Sequence, residues 1–241
     1  MNRLVAPALA AALALPSSLA FAQAAPTTTA AHKADHDGVA GHFGATWFSP
    51  SVMPAIGDDT KASSLTVVPV GVRYWLSPSL GIDAGLGLAF GSSKTSAQAG
   101  GQTTTTEHPS SMAFALHGGV PMALAAHQHF TFLAIPELNF AYSSSTYTPA
   151  GRTGQPAPSE QKLSGTYFDI GARAGAEVHF GFMGIPQLTL QGTVGAALAF
   201  VRSTFSDGTT ETSVSATRFA TTVQNQPWSI FTSNVSAIYY F

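Results

Sequence analysis

The sequence of 241 residues contains no cysteine and few charges. The absence of cysteine excludes a scaffold held together by disulfides. Charged residues make up 9% of the chain and hydrophobic residues 45%, whereas an average soluble domain carries about 25% charged residues. The sequence therefore predicts a large uncharged exterior. The net charge of -2 also argues against a nucleic-acid partner, because phosphate binding needs a basic patch.

Long hydrophobic runs are missing too, except near the start of the chain. A short basic start at Arg3 precedes the apolar residues 4–15, and Ala20-Phe21-Ala22 has the small residues of a cleavage motif. This pattern predicts a signal peptide over residues 1–22, cut before Gln23. It is too short for a retained membrane helix, which needs about 20 apolar residues.

The segment from residue 23 to residue 38 is rich in alanine, threonine and charge, and has no periodicity. We predict a flexible periplasmic lead-in without a second domain. It contains a tract with the residue types of a metal site: His32, Lys33, Asp35, His36 and Asp37. A solvated linker is the preferred interpretation, because nothing in the segment fixes ligand geometry. No metal and no cofactor are expected.

Residues 39–241 are predicted to form a single domain built from alternating apolar strands. In the clearest strand, one face carries Leu80, Ile82, Ala84, Leu86, Leu88 and Phe90, while the other face is mostly glycine. Such alternation is typical of a strand with one apolar face, and small residues suit the crowded interior of a narrow barrel. Eight segments show the pattern: 39–49, 65–76, 80–90, 112–124, 130–142, 167–180, 188–201 and 228–241.

The connections between these segments alternate in length. The short ones are 77–79, 125–129 and 181–186, and the long ones, rich in serine, threonine and glycine, are 50–64, 91–111, 143–164 and 202–227. We expect the long stretches to be exposed loops. Within the last of them, Asp207-Gly208 predicts a hairpin that continues two strands beyond the barrel, with an added membrane pair as the alternative.

Aromatic residues gather at the ends of the predicted strands, at two levels. One group is Trp47, Phe48, Tyr142, Tyr147, Tyr167, Phe168 and Trp228, and the other is Tyr74, Phe130, Phe180, Phe182, Tyr239 and Phe241. Two such girdles are expected where a barrel crosses the two membrane interfaces.

The last residues, 233–241, alternate in the same way and end on Tyr239 and Phe241. This segment resembles the C-terminal strand of bacterial outer-membrane β-barrels of the OmpA/OmpX type, the outer membrane protein β-barrel domain family. The resemblance implies an all-β, transmembrane, antiparallel up-and-down barrel of about eight strands with short periplasmic turns and long extracellular loops. It also implies a monomer in the outer membrane of a Gram-negative bacterium, surrounded by lipids and lipopolysaccharide. Phe241 and Tyr239 would then address the chain to the outer-membrane assembly machinery.

The charged residues of the strands are assigned to the lumen by the alternation. This polar network comprises Arg73, Asp83, Glu137, Asn139, Asp169, Arg173 and Glu177, accompanied by His117, His179 and Gln191. Arg73 and Asp83 are equally distant from Pro78, so we expect them to pair across the hairpin. Arg173 is expected to be shared between acids on its own strand and on neighbouring strands.

Three functions fit such a chain. The preferred one is a structural, adhesive or surface-interaction barrel whose lumen is filled by salt bridges, since eight strands enclose little more than their own side chains. The alternative is a narrow channel or an OmpW-like transporter of small solutes. A lipid A-modifying enzyme ranks third, with Glu107, His108 and Ser110 as the nearest approach to a catalytic triplet. Because a flexible loop preorganises these groups poorly, no enzymatic activity is expected.

Overall fold

The computed structural model describes residues 33–56, 62–92, 94–99, 102–107, 109–149, 159–221 and 235–241. Within these ranges, no helix is long and apolar enough to cross a membrane. Two 3₁₀ turns are present, Asp35–Gly38 and Gly181–Met183. The strands are β1 Phe43–Trp47, β2 Ser51–Ile56, β3 Ala62–Val67, β4 Val70–Ser77, β5 Leu80–Gly91, β6 Lys94–Ala99, β7 Gln102–Glu107, β8 Ser110–Gly119, β9 Met122–His127, β10 Phe130–Tyr147, β11 Gln161–Phe180, β12 Ile185–Ser206, β13 Glu211–Thr221 and β14 Val235–Tyr240.

Eight antiparallel strands close into a barrel, as the alternation predicts. Their order is β11-β10-β8-β5-β4-β1-β14-β12, and the pairing of β11 with β12 completes the ring. The segment predicted at 112–124 is divided into β8 and β9, with Pro121 between them, because proline has no amide hydrogen for the strand ladder. β9 stays in the wall by pairing with β10 and β5.

The outside of the barrel is apolar from strand to strand. Seven outward residues are directly paired neighbours around the wall: Trp47, Val70, Leu86, Leu116, Phe140, Phe168 and Phe200. Val70 is 63% exposed and Leu86 49% exposed. On β12 this face ends abruptly, since Phe200 is followed by Arg202 and Thr204 at the next outward positions. The apolar surface is therefore a belt with an edge.

The first long connection is not the exposed loop expected for residues 50–64. β2 and β3 pair as a hairpin that packs inside the barrel wall, where Met53 and Val67 are buried against Ala113, Ala115 and Ala141. The Ser143 hydroxyl donates a 2.9 Å hydrogen bond to the Pro54 carbonyl. The apolar residues of this connection pack inside the barrel, although its overall polar composition predicts an exposed loop.

The other long connections also contain more strand than expected. β6 and β7 form a separate hairpin within 91–111, and β10 and β11 extend beyond the predicted ends to Tyr147 and Gln161. The Asp207-Gly208 hairpin is confirmed, because β13 pairs with β12 over residues 196–206. At its tip, the carboxylate of Asp207 accepts the amide hydrogens of Thr209 and Thr210, which lowers the pKa of Asp207.

The segment just before the barrel corrects a second expectation. Residues 35–38 were predicted to be part of a flexible lead-in, but they form a 3₁₀ turn across the end of the barrel that carries the short connections. The amide of Asp35 donates to the carbonyl of Gln128 at 2.8 Å, and that of Gly41 to the carbonyl of Trp75 at 2.8 Å. His36 is buried, and its ring meets the Trp75 ring edge-on at 4.5 Å between centroids.

The small inward residues of β5 make room for groups that enter the lumen, which gives a stability test. A methyl group added at Gly85 would lie 2.6 Å from the Phe48 ring, whereas one at Gly91, on the same face of the same strand, meets nothing within 4 Å. We expect Gly85→Ala to lower the free energy of unfolding by about 1–3 kcal/mol. Urea unfolding of the refolded protein measures it. Gly91→Ala is the matched control, and equal effects of the two would contradict the packing described.

Candidate functional site

The lumen holds the polar residues that the alternation assigns to it, in two groups that we call the Arg73 layer and the Arg173 layer. The Arg73 layer consists of Arg73, Asp83, Glu177 and Gln191, and lies toward the short-turn end of the barrel. The Arg173 layer consists of Glu137, Asn139, Asp169 and Arg173, and lies nearer the long hairpins. Four different barrel strands supply the Arg73 layer: β4, β5, β11 and β12.

The Arg73 guanidinium is the centre of the first layer. Its Nε and Nη2 donate to the two carboxylate oxygens of Asp83 at 2.6 and 2.7 Å, the bidentate geometry that fits guanidinium to carboxylate. Its Nη1 donates to Glu177 and, at 2.6 Å, to the side-chain carbonyl of Gln191. The pair expected across the Pro78 turn is thus present, because Arg73 and Asp83 are directly opposite in the register.

Two aromatic side chains, Trp75 and Tyr240, pack beneath the Arg73 layer, toward the short-turn end. Trp75, two residues along β4, lies with its ring 5.9 Å from the Arg73 guanidinium carbon and donates from Nε1 to the Tyr240 hydroxyl at 3.0 Å. Below it, buried apolar side chains close the short-turn end: Val39, Leu133, Ile135 and Ile238. The sequence reasoning missed Trp75 and Tyr240 as lumen residues, although the alternation that turns Tyr239 outward also turns Tyr240 inward.

The Arg173 layer is arranged differently from the expectation. Arg173 contacts Glu137 on the neighbouring strand, with both Nε and Nη2 at 2.7 Å from one carboxylate oxygen, and donates to the Thr193 hydroxyl at 3.2 Å. Asp169 and Glu177, on its own strand, bind other partners. Arg173 is therefore not shared among acids, because neighbours four residues apart on a strand lie too far apart for one guanidinium.

Asp169 is satisfied by neutral donors instead. It accepts from the Asn139 amide at 2.9 Å and from the Tyr167 hydroxyl at 2.6 Å. Asn139 in turn contacts His117 at 2.7 Å, and the His117 ring stacks on Phe48 with centroids 3.9 Å apart. Two residues predicted for the outer aromatic girdle, Phe48 and Tyr167, thus lie inside the barrel. Tyr167 occupies an inward position of β11, and Phe48 directly follows the last residue of β1.

Several other girdle residues lie on the exterior, whereas Tyr147 has the same strand parity as the buried Ser143 and Ser145. Trp47, Tyr239 and Phe241 are exposed, and the Tyr142 ring packs beside Phe114 at 5.9 Å. Phe43 joins the lower group, with its ring 6.5 Å from that of Phe241. Trp228 and the predicted signal peptide lie outside the described residues. So does His108, while Ser110 contacts the hydroxyl of Thr146 at 3.2 Å on the adjacent strand.

Side chains occupy the lumen at several successive levels in the part of the chain that the structure describes. The apolar cluster beneath Trp75, the two ionic layers, the Phe48–His117 stack and the β2–β3 hairpin follow one another from one end to the other. Buried charges are tolerated in such a place only when they are paired and hydrogen-bonded.

The fold and the lumen define a closed, eight-stranded antiparallel β-barrel with an apolar exterior and a polar, ion-paired interior. Comparison with models of protein families finds no match, and neither does comparison with curated proteins. Among solved structures, the chain is similar to a major outer membrane protein from Thermus thermophilus, with 14% sequence identity and a TM-score of 0.40. That match covers 83% of this chain and 98% of the other. The fold assignment rests on the strand pairing of this chain.

The Arg73–Asp83 pair gives a direct test of the ionic layer. Asp83→Ala removes the bidentate partner and leaves the buried guanidinium short of negative charge, so we expect the free energy of unfolding to fall by about 3–5 kcal/mol. Urea titration followed by tryptophan fluorescence measures the loss. Glu211→Ala, which removes an exposed carboxylate on β13, should cost less than about 0.5 kcal/mol. A loss below about 1 kcal/mol for Asp83→Ala would show that Arg73 does not depend on this pair.

Proposed function

We propose that this protein is an integral outer-membrane β-barrel that has a structural, adhesive or surface-interaction role and no enzymatic activity. The belt of paired outward residues supports insertion into a membrane, because a soluble barrel of this size does not expose a continuous apolar exterior. A barrel meets the requirement that every backbone polar group be satisfied inside lipid. The short turns then face the periplasm and the long hairpins face the outside of the cell.

The filled lumen is the observation that carries the proposed role. An ion or solute would have to displace the Arg73 layer, the Arg173 layer and the β2–β3 hairpin in turn. Breaking a buried ion pair leaves an uncompensated charge, which costs about 3–5 kcal/mol. The parts of the molecule left to meet a partner are therefore the hairpins above the belt, among them the one formed by β12 and β13.

The apolar belt and the closed ring of strands also indicate what surrounds the barrel. The belt is in contact with outer-membrane lipids, and its upper edge lies at the level of lipopolysaccharide. Each of the eight barrel strands has a neighbour on both sides, so no barrel strand needs a second chain to complete its pairing. We propose a monomer on that ground.

The membrane assignment predicts how the barrel responds to a charge on its exterior. Val194 lies in the middle of the β12 belt and is 50% exposed. We expect Val194→Arg to lower the free energy of unfolding from phospholipid vesicles by about 2–4 kcal/mol, because arginine at mid-bilayer loses its hydration. Thr210→Arg, at the exposed tip of the β12–β13 hairpin, is the control and should change little. If Val194→Arg were equally harmless, the belt would face water.

The proposed role predicts that the refolded protein does not conduct. In a planar bilayer we expect no reproducible single-channel steps, while a porin added to the same bilayer shows that the assay works. Faster migration of the unheated protein on gels serves as the check that the barrel is folded. Reproducible steps that change in Arg173→Ala would contradict the filled lumen and favour the narrow channel.

A further inference from the structure

Three buried side chains with metal-ligand chemistry converge beneath the Arg73 layer. His36 comes from the 3₁₀ turn across the short-turn end, while Glu177 and His179 are successive inward residues of β11. One ligand atom from each lies within 4.8 Å of the others. The three are 1%, 0% and 0% exposed. The site is therefore built from the barrel wall and from a segment that is not part of the wall.

Hydrogen bonding leaves three potential ligand atoms of this cluster without a partner: His36 Nδ1, Glu177 Oε2 and His179 Nδ1. The carbonyl of Pro78 lies 2.9 Å from His36 Nε2, and since a carbonyl only accepts, that nitrogen carries the hydrogen. His36 Nδ1 is then an acceptor, and it has no hydrogen-bond partner. One oxygen of Glu177 accepts from Arg73, but the other, Oε2, has none. Buried acceptors of this kind normally find a donor or a cation.

The charge balance points the same way. Arg73 carries one positive charge, while Asp83 and Glu177 carry two negative charges, so with neutral histidines the cluster has an excess of one negative charge. In the Arg173 layer, the excess carboxylate of Asp169 is held by two hydrogen-bond donors. Glu177 Oε2 instead faces His179 Nε2 at 3.8 Å, beyond hydrogen-bond distance. A cation at this point satisfies both the free acceptors and the charge.

We propose that His36, Glu177 and His179 bind a Zn²⁺ ion. Two imidazoles and one carboxylate are a common zinc ligand set, and tetrahedral ligands about 2.1 Å from the metal lie about 3.4 Å apart, so small side-chain movements from the present spacing complete the site. The Thr131 hydroxyl lies 3.2 Å from His179 Nε2, so a metal bound at that nitrogen would replace this contact. A water molecule fills the fourth position.

The ion would connect the 3₁₀ turn to β11. Through His36, the metal would add a link between this turn and the wall, in addition to the Asp35–His129 contact at 2.7 Å. Zinc binding would thus hold the 3₁₀ turn in place across the short-turn end of the barrel. This effect does not depend on whether the barrel conducts or on what the hairpins bind. The tract at residues 32–37 contributes through His36, whose partners are more than 100 residues away.

The test is Zn²⁺ binding by the refolded, untagged chain, measured by equilibrium dialysis with elemental analysis and by the visible spectrum of the Co²⁺ form. We expect one Zn²⁺ per chain and a tetrahedral cobalt spectrum. His36→Phe keeps a ring against Trp75, removes both nitrogens and lies outside the wall, so the barrel should fold while Zn²⁺ affinity falls at least 10-fold. His127→Ala, at the exposed end of β9, is the matched control.

A second measurement tests whether Zn²⁺ stabilises the 3₁₀ turn. Hydrogen exchange of residues 35–41 should slow when Zn²⁺ is added to the wild type, and should not change in His36→Phe. Gel migration of the unheated samples establishes that both barrels are folded. Absence of bound Zn²⁺ in the wild type, or equal affinity in the wild type and His36→Phe, would overturn the proposal. Neither result depends on the conductance experiment.

Discussion

The Arg73 guanidinium is the interaction on which the rest of the lumen depends. It is fully desolvated, and it reaches from its own strand to groups on three others, Asp83, Glu177 and Gln191. Removing a charge of this kind from water is compensated only when every donor finds an acceptor. The contacts therefore fix which strands lie across the barrel from one another, and Trp75 and Tyr240 close the space beneath it.

The barrel inverts the usual distribution of side chains and then fills both of its ends. Within the belt, the charged residues of the strands face inward and the outward residues are mostly apolar, which suits a solvent of lipid rather than water. Two segments close the interior, the β2–β3 hairpin from the long-loop end and the 3₁₀ turn from the short-turn end. The hairpin buries Met53 against Ala113, Ala115 and Ala141, and the 3₁₀ turn buries His36 against Trp75.

Each of the two ionic layers carries excess negative charge, and the two layers stabilise it differently. The zinc proposal follows from this difference. Asp169 is stabilised locally by hydrogen bonds from Asn139 and Tyr167 to its two carboxylate oxygens. Glu177 has one oxygen engaged by Arg73 and the other facing two histidine rings. The first arrangement uses only protein groups, whereas the second leaves a buried acceptor, Glu177 Oε2, without a protein donor.

The sequence by itself determined the faces of the strands, the closed antiparallel barrel, the hairpin at Asp207-Gly208 and the Arg73–Asp83 pair. These depend on local rules, because side chains alternate every second residue and a short turn sets the register beside it. The tertiary structure alone decided that Arg173 binds Glu137, that Phe48 and Met53 enter the lumen, and that His36 meets β11. The Arg173–Glu137 contact joins neighbouring strands, and the others reach across the lumen. All of these partners are set by closure and stagger of the whole ring rather than by spacing along the chain.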